Sequence, residues 1–247
     1  MRIGNITSSE IVALTTNGTK KDTIGKPFYT YVQQCIFERR LGKSLDSDAH
    51  TKELTWGNLM EMYFFYEKGQ IKYTPMMNET IKHNEYDFWV GSPDAVNNEI
   101  NAVVELKCPY TLNSFCQLVE PILQGYNGIT AMQYIRKNHK QGEKYYWQCI
   151  SNAILTGKNK VEFLVYCPFQ SCLEEIRQLA NNAPAEQLSW YYWIAYASDK
   201  ELPHLIEDAE YSDVYSIVFD APYEDVEFLT SRVAIAGNLI NNRTIIN

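Results

Sequence analysis

Apolar residues recur with the spacing of an amphipathic helix in several stretches of the chain. The clearest lies between Thr51 and Lys68, where the apolar positions fall on one helical face: Leu54, Leu59, Met62, Phe65 and Tyr66. The same spacing predicts helices over four further stretches: Pro27 to Leu41, Glu143 to Thr156, Ser171 to Asn181 and Tyr223 to Ile240. A short helix through Ile11 and Leu14 is predicted to be capped by Thr7 or Ser8.

Shorter stretches alternate between apolar and polar residues, as β-strands do. They predict strands at five places: Ile71 to Met77, Tyr86 to Val90, Ala102 to Lys107, Val161 to Cys167 and Val214 to Phe219. The segment 109–138 is mixed, because Gly125 and Gly128 interrupt it. Helices interspersed with strands favour an α/β fold in which a mixed central β-sheet is flanked by α-helices. We expect residues 1–247 to form one domain.

Charged residues close the predicted strand that ends at Lys107. Side chains alternate across a strand, so Glu105 and Lys107 leave from the same face while Leu106 points into the core. Asp94 sits at a turn after the preceding strand, and we expect it to face that pair across a hairpin closed by residues 97–99. The stretch therefore places two carboxylates and one lysine within reach of each other.

Two carboxylates beside a lysine suit a metal-dependent phosphodiester hydrolase. Carboxylates are hard oxygen ligands for Mg²⁺, which keeps several waters and accepts phosphate oxygens as further ligands. The lysine can orient or deprotonate the attacking water and offset charge on the phosphate. The ordinary alternative is an ion pair on a solvated strand face. Glu105 and Lys107 close an otherwise apolar strand, where buried charges are costly without partners or a task, and this favours the metal site.

Composition narrows the possible partners. The chain has 247 residues, 45% of them hydrophobic, which is enough for a substantial core. Its net charge of −8 argues against nonspecific cationic binding over the whole surface. Contact with nucleic acid would have to come from a local basic lining or from metals that bridge to phosphate.

Cysteine and histidine patterns indicate neither a disulfide framework nor a zinc site. The cysteines form no CxxC pair: Cys35, Cys108, Cys116, Cys149, Cys167 and Cys172. The histidines are scattered: His50, His83, His139 and His204. No window approaches the roughly 18 apolar residues of a membrane span, and no signal-peptide core is apparent. We expect a soluble protein of the cytoplasm of a bacterial or phage-infected cell.

Three further segments carry candidate chemistry. Glu61 follows Gly57 by one turn of the predicted helix, although a solvated glutamate is the default there. Gly42-Lys43-Ser44 resembles the tail of a phosphate loop but fails, because Phe37 stands where the first glycine is required. The aromatic run Trp190 to Trp193 can stack on bases, but core packing is the better prior explanation.

Five motifs in order carry a resemblance to a known family. They are Arg-x-Gly-x-Ile-Thr-x-Ser-Glu, Trp-Gly-x-x-x-Glu, Ser-Pro-Asp, Glu-Leu-Lys-Cys-Pro and a helix with Tyr-Tyr-Trp-Gln, spread between Arg2 and Cys167. Together they resemble the lambda exonuclease family, also called YqaJ-like viral recombinase nucleases, in the PD-(D/E)xK superfamily. The resemblance implies a restriction-endonuclease-like core.

The resemblance implies roles for the acidic stretch. Asp94 and Glu105 would hold the metal ions, with the Leu106 carbonyl as a main-chain ligand. Lys107 would act on the nucleophilic water. Glu61 would belong to the same acidic cluster.

Further positions match the family motifs that contact DNA. Gln148 would assist at the scissile phosphate. Arg2, Ser9 and Ser92 would form a pocket for a terminal 5′ phosphate. From the residues alone, an arginine before a capped helix start can hold a phosphate, although an ordinary surface helix is the simpler interpretation.

The implied activity is digestion of double-stranded DNA from 5′ ends, dependent on Mg²⁺, with Mn²⁺ expected to substitute and without ATP. The product would be a 3′ single strand for an annealing protein in phage-type recombination. A homo-oligomer, for example a ring-shaped trimer around the DNA, is implied as well.

Two rival hypotheses remain open at this point. One is a related nuclease, either an endonuclease or an iron-sulfur-bearing PD-(D/E)xK enzyme, and a colourless purified protein would count against the iron-sulfur form. The other is a non-catalytic module that binds DNA ends and keeps the fold. Retention of Asp94, Glu105 and Lys107 disfavours the second hypothesis.

Overall fold

The computed structural model describes residues 3–20, 23–45, 50–67, 71–76 and 79–242. Its strands are β1 (Ile6–Thr7), β2 (Tyr73–Pro75), β3 (Ile81–Lys82), β4 (Trp89–Gly91), β5 (Ala95–Asn97), β6 (Ala102–Lys107), β7 (Lys160–Tyr166) and β8 (Val214–Asp220). Its helices are α1 (Lys26–Leu41), α2 (Lys52–Met62), α3 (Leu112–Leu123), α4 (Gly128–Asn138), α5 (Gly142–Thr156), α6 (Leu173–Asn181), α7 (Leu188–Ala195) and α8 (Tyr223–Asn241). Short 3₁₀ turns cover Ile11–Thr15, Gln170–Cys172 and Asp199–Glu201, and a π-helical turn, Tyr63–Glu67, continues α2.

The strands form two sheets in the described part of the chain. The larger has the order β2-β5-β6-β7-β8, and the smaller has the order β1-β4-β3. In the larger sheet β6 and β7 run parallel, while the other pairs are antiparallel. The mixed α/β architecture predicted from the sequence is therefore confirmed.

Alternation along β6 divides the molecule into two apolar layers. Val103 packs into a cluster with residues of α1, α3, α4, α5 and α8. Val104 and Leu106 pack on the opposite face, against α2, α6 and α7. Because helices cover both faces, β6 is buried along nearly its whole length.

The segment before β1 is held by α1. Gly4 donates its backbone N–H to the buried carboxylate of Glu38 at 2.8 Å, and its carbonyl accepts from Arg39 Nε at 2.7 Å. Gly4 has φ +64°, and a Cβ there would lie 2.3 Å from Arg39 Cγ, so both conformation and space require glycine. These two hydrogen bonds hold the chain beside α1 where β1 can pair with β4, and Ile6 N donates to Phe88 O at 2.8 Å.

Some predicted local details were wrong. Neither Thr7 nor Ser8 caps a helix, because Thr7 belongs to β1 and the Ser8 hydroxyl shares a 2.8 Å hydrogen bond with Ser151. The helix predicted to begin at Ser171 starts two residues later, because Gln170–Cys172 forms a 3₁₀ turn and α6 begins at Leu173. Met77 and Lys68, the ends of two predicted elements, lie outside the described residues.

The segment 109–138, mixed in the sequence, forms α3 and α4. Thr111 caps α3 by accepting from Ser114 N at 3.2 Å. Pro121 lies in the last turn of α3, where the helix is about to end, and Gly125 at φ +84° makes the connection to α4. None of the helices in the described ranges is both long and apolar enough to cross a lipid bilayer.

Candidate functional site

A cleft of about 550 Å³ lies between α2, the chain between β4 and β5, the end of β6 and the first half of α5. Most of the residues predicted to form a site line it: Ser9, Glu61, Ser92, Asp94, Glu105, Leu106, Lys107 and Gln148. Arg2 lies outside the described residues. The fold thus brings together side chains that are separated by up to about 140 positions in the chain.

Asp94 is fixed to the backbone of β6. Its N–H donates to Val104 O at 3.2 Å, and its Oδ2 accepts from Leu106 N at 2.6 Å. The hairpin that brings β5 back to β6 is closed by Asn97, whose side chain accepts from the N–H of Glu99 at 3.0 Å. The predicted approach of Asp94 to β6 across a hairpin is confirmed.

Glu105 and Lys107 form an ion pair on one face of β6, as the strand alternation predicted. Glu105 is only 1% exposed, and its Oε2 accepts from Asn152 Nδ2 at 2.9 Å. Lys107 Nζ lies 5.1 Å from the centre of the Tyr145 ring, within cation–π range. Each charged group therefore contacts the other and a residue of α5, Asn152 for Glu105 and Tyr145 for Lys107.

The electrostatics of the cleft are those of crowded carboxylates. Burial first, and then the charges of Glu105 and Glu61, raise the pKa of Asp94 well above its usual value, against the opposing effects of Lys107 and the Leu106 N–H. Burial, with Glu105 second, raises the pKa of Glu61 to about 7. Without a further cation, part of this negative charge is suppressed by protonation.

The pKa of Lys107 is raised as well, which for a lysine favours the charged form. Burial acts to lower its pKa, but the charges of Glu105 and Asp94 and the hydrogen bond to Glu105 outweigh burial and raise it. The side chain is therefore an ammonium ion at neutral pH. It offsets one of the negative charges in the cleft.

The donor set fits a hard divalent cation that keeps part of its water shell. Among the residues that the structure describes, no three His, Cys, Asp or Glu side chains are grouped closely enough to hold a metal ion by themselves. Asp94 and Glu105 supply hard oxygens beside open cleft volume, which leaves positions for water and phosphate. That pattern of few protein ligands is typical of Mg²⁺ sites.

Glu61 reaches the cleft from α2, with Gly57 one turn before it. Apart from its chain neighbours and the backbone of its own helix, no described heavy atom lies within 4 Å of where a Gly57 Cβ would stand. Gly57 therefore leaves room in the cleft, while no neighbouring backbone packs against it.

Sequence reasoning missed several polar residues of α5. Tyr145 and Asn152 share the helical face of Gln148, and their spacing of three and four residues was a signal that could have revealed them, while Gln141 at the N-cap of α5 also lines the cleft. Asn152 Oδ1 is buried with no hydrogen-bond partner among the described residues. A Cβ on Gly91 would lie 2.7 Å from that oxygen, so glycine allows β4 to approach α5.

Hydroxyls and a second lysine line the other end of the cleft. Ser9 Oγ lies 3.3 Å from Thr7 Oγ1, and Ser92 Oγ lies 3.4 Å from Thr80 Oγ1. Lys144 lines the same cleft and pairs with Glu10 at 2.8 Å. This end can donate hydrogen bonds to an anion although the whole chain is acidic.

Comparison with known proteins finds a matching family and structures of similar fold. Residues 1–159 match the family described as the YqaJ-like viral recombinase domain. That segment contains the whole set of sequence-predicted site residues, from Arg2 to Gln148. No curated protein matches the chain in sequence.

Solved structures share the fold. An alkaline exonuclease (LHK-Exo) from Laribacter hongkongensis is 15% identical with a TM-score of 0.57, over 98% of this chain and 90% of that chain. The same values hold for its complex with dAMP. A phage related exonuclease from Haemophilus somnus 129PT is 13% identical with a TM-score of 0.63, over 97% of this chain and 96% of that chain.

Proposed function

Because the chain belongs to the YqaJ-like viral recombinase family, we propose that it is a Mg²⁺-dependent exodeoxyribonuclease that digests double-stranded DNA in the 5′-to-3′ direction. The observation that carries the proposal is the meeting of Asp94, Glu105 and Lys107 in one open cleft. The names of the structural neighbours, which are exonucleases, support the same class of reaction.

Asp94 and Glu105 would hold the cation, with the Leu106 carbonyl as a main-chain ligand and Glu61 as a further member of the acidic cluster. Burial and then the neighbouring carboxylates raise the pKa values of Asp94 and Glu61, and a divalent cation would favour their charged forms, which supports this assignment. When bound, Mg²⁺ polarises the phosphate and lowers the pKa of a coordinated water. Mn²⁺ would substitute, and no ATP is needed.

Lys107 would orient the attacking water and offset charge on the phosphate. As an ammonium ion held by Glu105, it donates hydrogen bonds and carries a positive charge close to the carboxylates. Gln148, on the facing wall of the cleft, would hydrogen-bond the scissile phosphate. Asn152 would keep Glu105 in place through its 2.9 Å hydrogen bond.

The hydroxyl-lined end of the cleft would bind the terminal 5′ phosphate. Ser9 and Ser92 both line it, and Arg2 would add a guanidinium to them. A clamp of this kind would compensate for the net charge of −8, since attraction to DNA is then confined to one pocket.

The product would be a 3′ single strand for an annealing protein in phage-type recombination. We propose one domain over residues 1–247, because the apolar cluster that holds Ile6 near the start also holds Ile240 of α8. A homo-oligomer, such as a ring-shaped trimer, would keep the enzyme on its DNA. Its place would be the cytoplasm of a bacterial or phage-infected cell.

A time course on linear duplexes labelled at either end, with and without a 5′ phosphate, tests the proposal. We expect Mg²⁺-dependent release of nucleotides from the 5′-phosphorylated end, leaving the complementary strand intact. Internal cuts in a circular duplex would instead favour an endonuclease. Failure to degrade any end in Mg²⁺ or Mn²⁺, with DNA still bound, would favour the non-catalytic module.

A further inference from the structure

A second cavity of about 300 Å³ opens beside the catalytic cleft. Glu61, Ser92 and Asp94 line both spaces, so the two share a wall. The far side of the second cavity is formed by the start of α7, where Trp190 lies half-buried. The carboxylates of Glu61 and Asp94 therefore lie between the catalytic cleft and the space beside Trp190.

The aromatic side chains of α7 lie in different surroundings. Tyr191 is buried in the apolar layer, and Trp193 packs on α2, where its Nε1 donates to Thr55 Oγ1 at 3.0 Å. Tyr192 does not line the cavity and is 59% exposed. Trp190 stacks on His50 with ring centres 4.0 Å apart and also lines the cavity.

We propose that this second cavity, the Trp190 pocket, binds the unpaired nucleobase of a nucleotide next to the phosphate in the catalytic cleft. The proposal rests on the proposed function, since the phosphate must lie at Asp94 and Glu105. Met62, Met76 and Pro93 form an apolar and adaptable part of the wall, and Tyr191 lines the pocket beside Trp190. A flat indole beside them gives a base a stacking surface.

The polar side chains of the Trp190 pocket can hydrogen-bond any of the four DNA bases. Asn58 and Gln187 line it, and a side-chain amide both donates and accepts hydrogen bonds. Such amides can meet the edges of purines and pyrimidines alike. Because a paired base already uses one of these edges, we expect the pocket to bind an unpaired base, with little preference among the four.

The test compares binding of dAMP and of 2-deoxyribose 5-phosphate, which lacks the base, by calorimetry in Mg²⁺. We expect the wild-type protein to bind dAMP about five- to a hundredfold more tightly, as aromatic stacking on a base implies. Trp190→Leu, which keeps apolar volume without a flat ring, should bind both ligands equally. Tyr192→Leu on the exposed face of the same helix should keep the wild-type preference.

Each outcome of these binding measurements either supports or overturns the Trp190 pocket. Equal binding of the two ligands by the wild-type protein, or an unchanged preference in Trp190→Leu, overturns the Trp190 pocket. If Trp190→Leu lowers the melting temperature, Trp190→Phe restores a ring and should restore the preference, and its failure to do so also overturns the pocket. A wild-type preference for dAMP without any cleavage of DNA supports the pocket and rejects the exonuclease.

Discussion

Glu105 on β6 and Glu162 on β7 are both carboxylates in the middle of the sheet, 1% and 2% exposed. They lie on opposite faces, because Glu162 pairs in register with Val104 while Glu105 pairs with Phe163. Glu162 accepts hydrogen bonds from three neutral donors, Tyr73 at 3.1 Å, Asn97 at 2.7 Å and Ser216 at 2.9 Å. Glu105 faces a lysine, an amide and an open cleft.

The difference shows that burial of a charge does not by itself mark a site. The donors around Glu162 occupy both of its oxygens and leave no room for a ligand, which is the arrangement of a structural network. Glu105, after burial, raises the pKa values of two neighbouring acids, Asp94 and Glu61. Carboxylates that repel one another beside open volume distinguish the candidate active site.

The largest expected effect is on catalysis. Glu105→Gln should lower the rate of digestion of a 5′-phosphorylated duplex by roughly 10²–10³-fold, since it removes charge where the cation and phosphate meet. Glu162→Gln, the matched change one strand away, should keep a rate near that of the wild type. End-labelled duplex in Mg²⁺ provides the measurement, and full activity of Glu105→Gln would remove Glu105 from the mechanism.

The second effect is on stability, where we expect Glu162→Gln to cost more than Glu105→Gln. Glu162→Gln places an amide N–H₂ among groups that donate, so we expect a loss of about 1–3 kcal/mol in the free energy of unfolding. A loss of 2 kcal/mol lowers Tm by about 4–8 °C in a chain of this length. Glu105→Gln should lose less, because repulsion with Asp94 and Glu61 falls. Urea unfolding measures the free energy of unfolding of both variants. Equal losses in the two would contradict the proposed difference between Glu105 and Glu162.

The third effect is on the pH dependence of stability. The pKa of Glu61 is about 7 in the folded chain against an ordinary 4.5, so the folded state binds the proton more tightly than the unfolded state. Without divalent metal, stability should fall by on the order of 2 kcal/mol as pH rises through this window. Asp94 contributes in the same direction. Glu61→Gln should flatten part of this fall in urea titrations at pH 5 and 8, whereas Glu162→Gln should keep the wild-type slope.

The smallest effect is stabilisation by the cation. At ten times its Kd, Mg²⁺ should stabilise the folded state by about 1.4 kcal/mol. That corresponds to a rise of roughly 3–6 °C in Tm, reversed by a chelator. Asp94→Asn should lose the rise and Glu162→Gln should keep it. A rise that persists in Asp94→Asn would place the cation elsewhere.

The central pair was predictable because strand alternation is a strong local rule. Glu105 and Lys107 share a face and Leu106 faces the apolar layer, as the sequence indicated. The positions of Glu61 and Gln148 in the same cleft depended on the resemblance to a family. Spacing alone left them as ordinary helix residues.

What escaped the sequence depended on distant contacts. β1 has two residues and exists because α1 holds Gly4 and because β4 pairs with it, neither of which a local pattern records. Asn152 looks like any polar residue on a helix until β6 brings Glu105 beside it. Trp190 could not be told from its buried neighbour Tyr191 by composition alone.

The alternation along β6 also has a consequence for assembly of the sheet. A slip of one residue between β6 and β7 would turn Glu105 and Lys107 into the apolar layer under α2 and α6, and would expose Val104 and Leu106 in the cleft. Such a misaligned chain would bury two charges among aromatic rings. The charges proposed to cut DNA thus also discriminate against a wrong pairing while the protein folds.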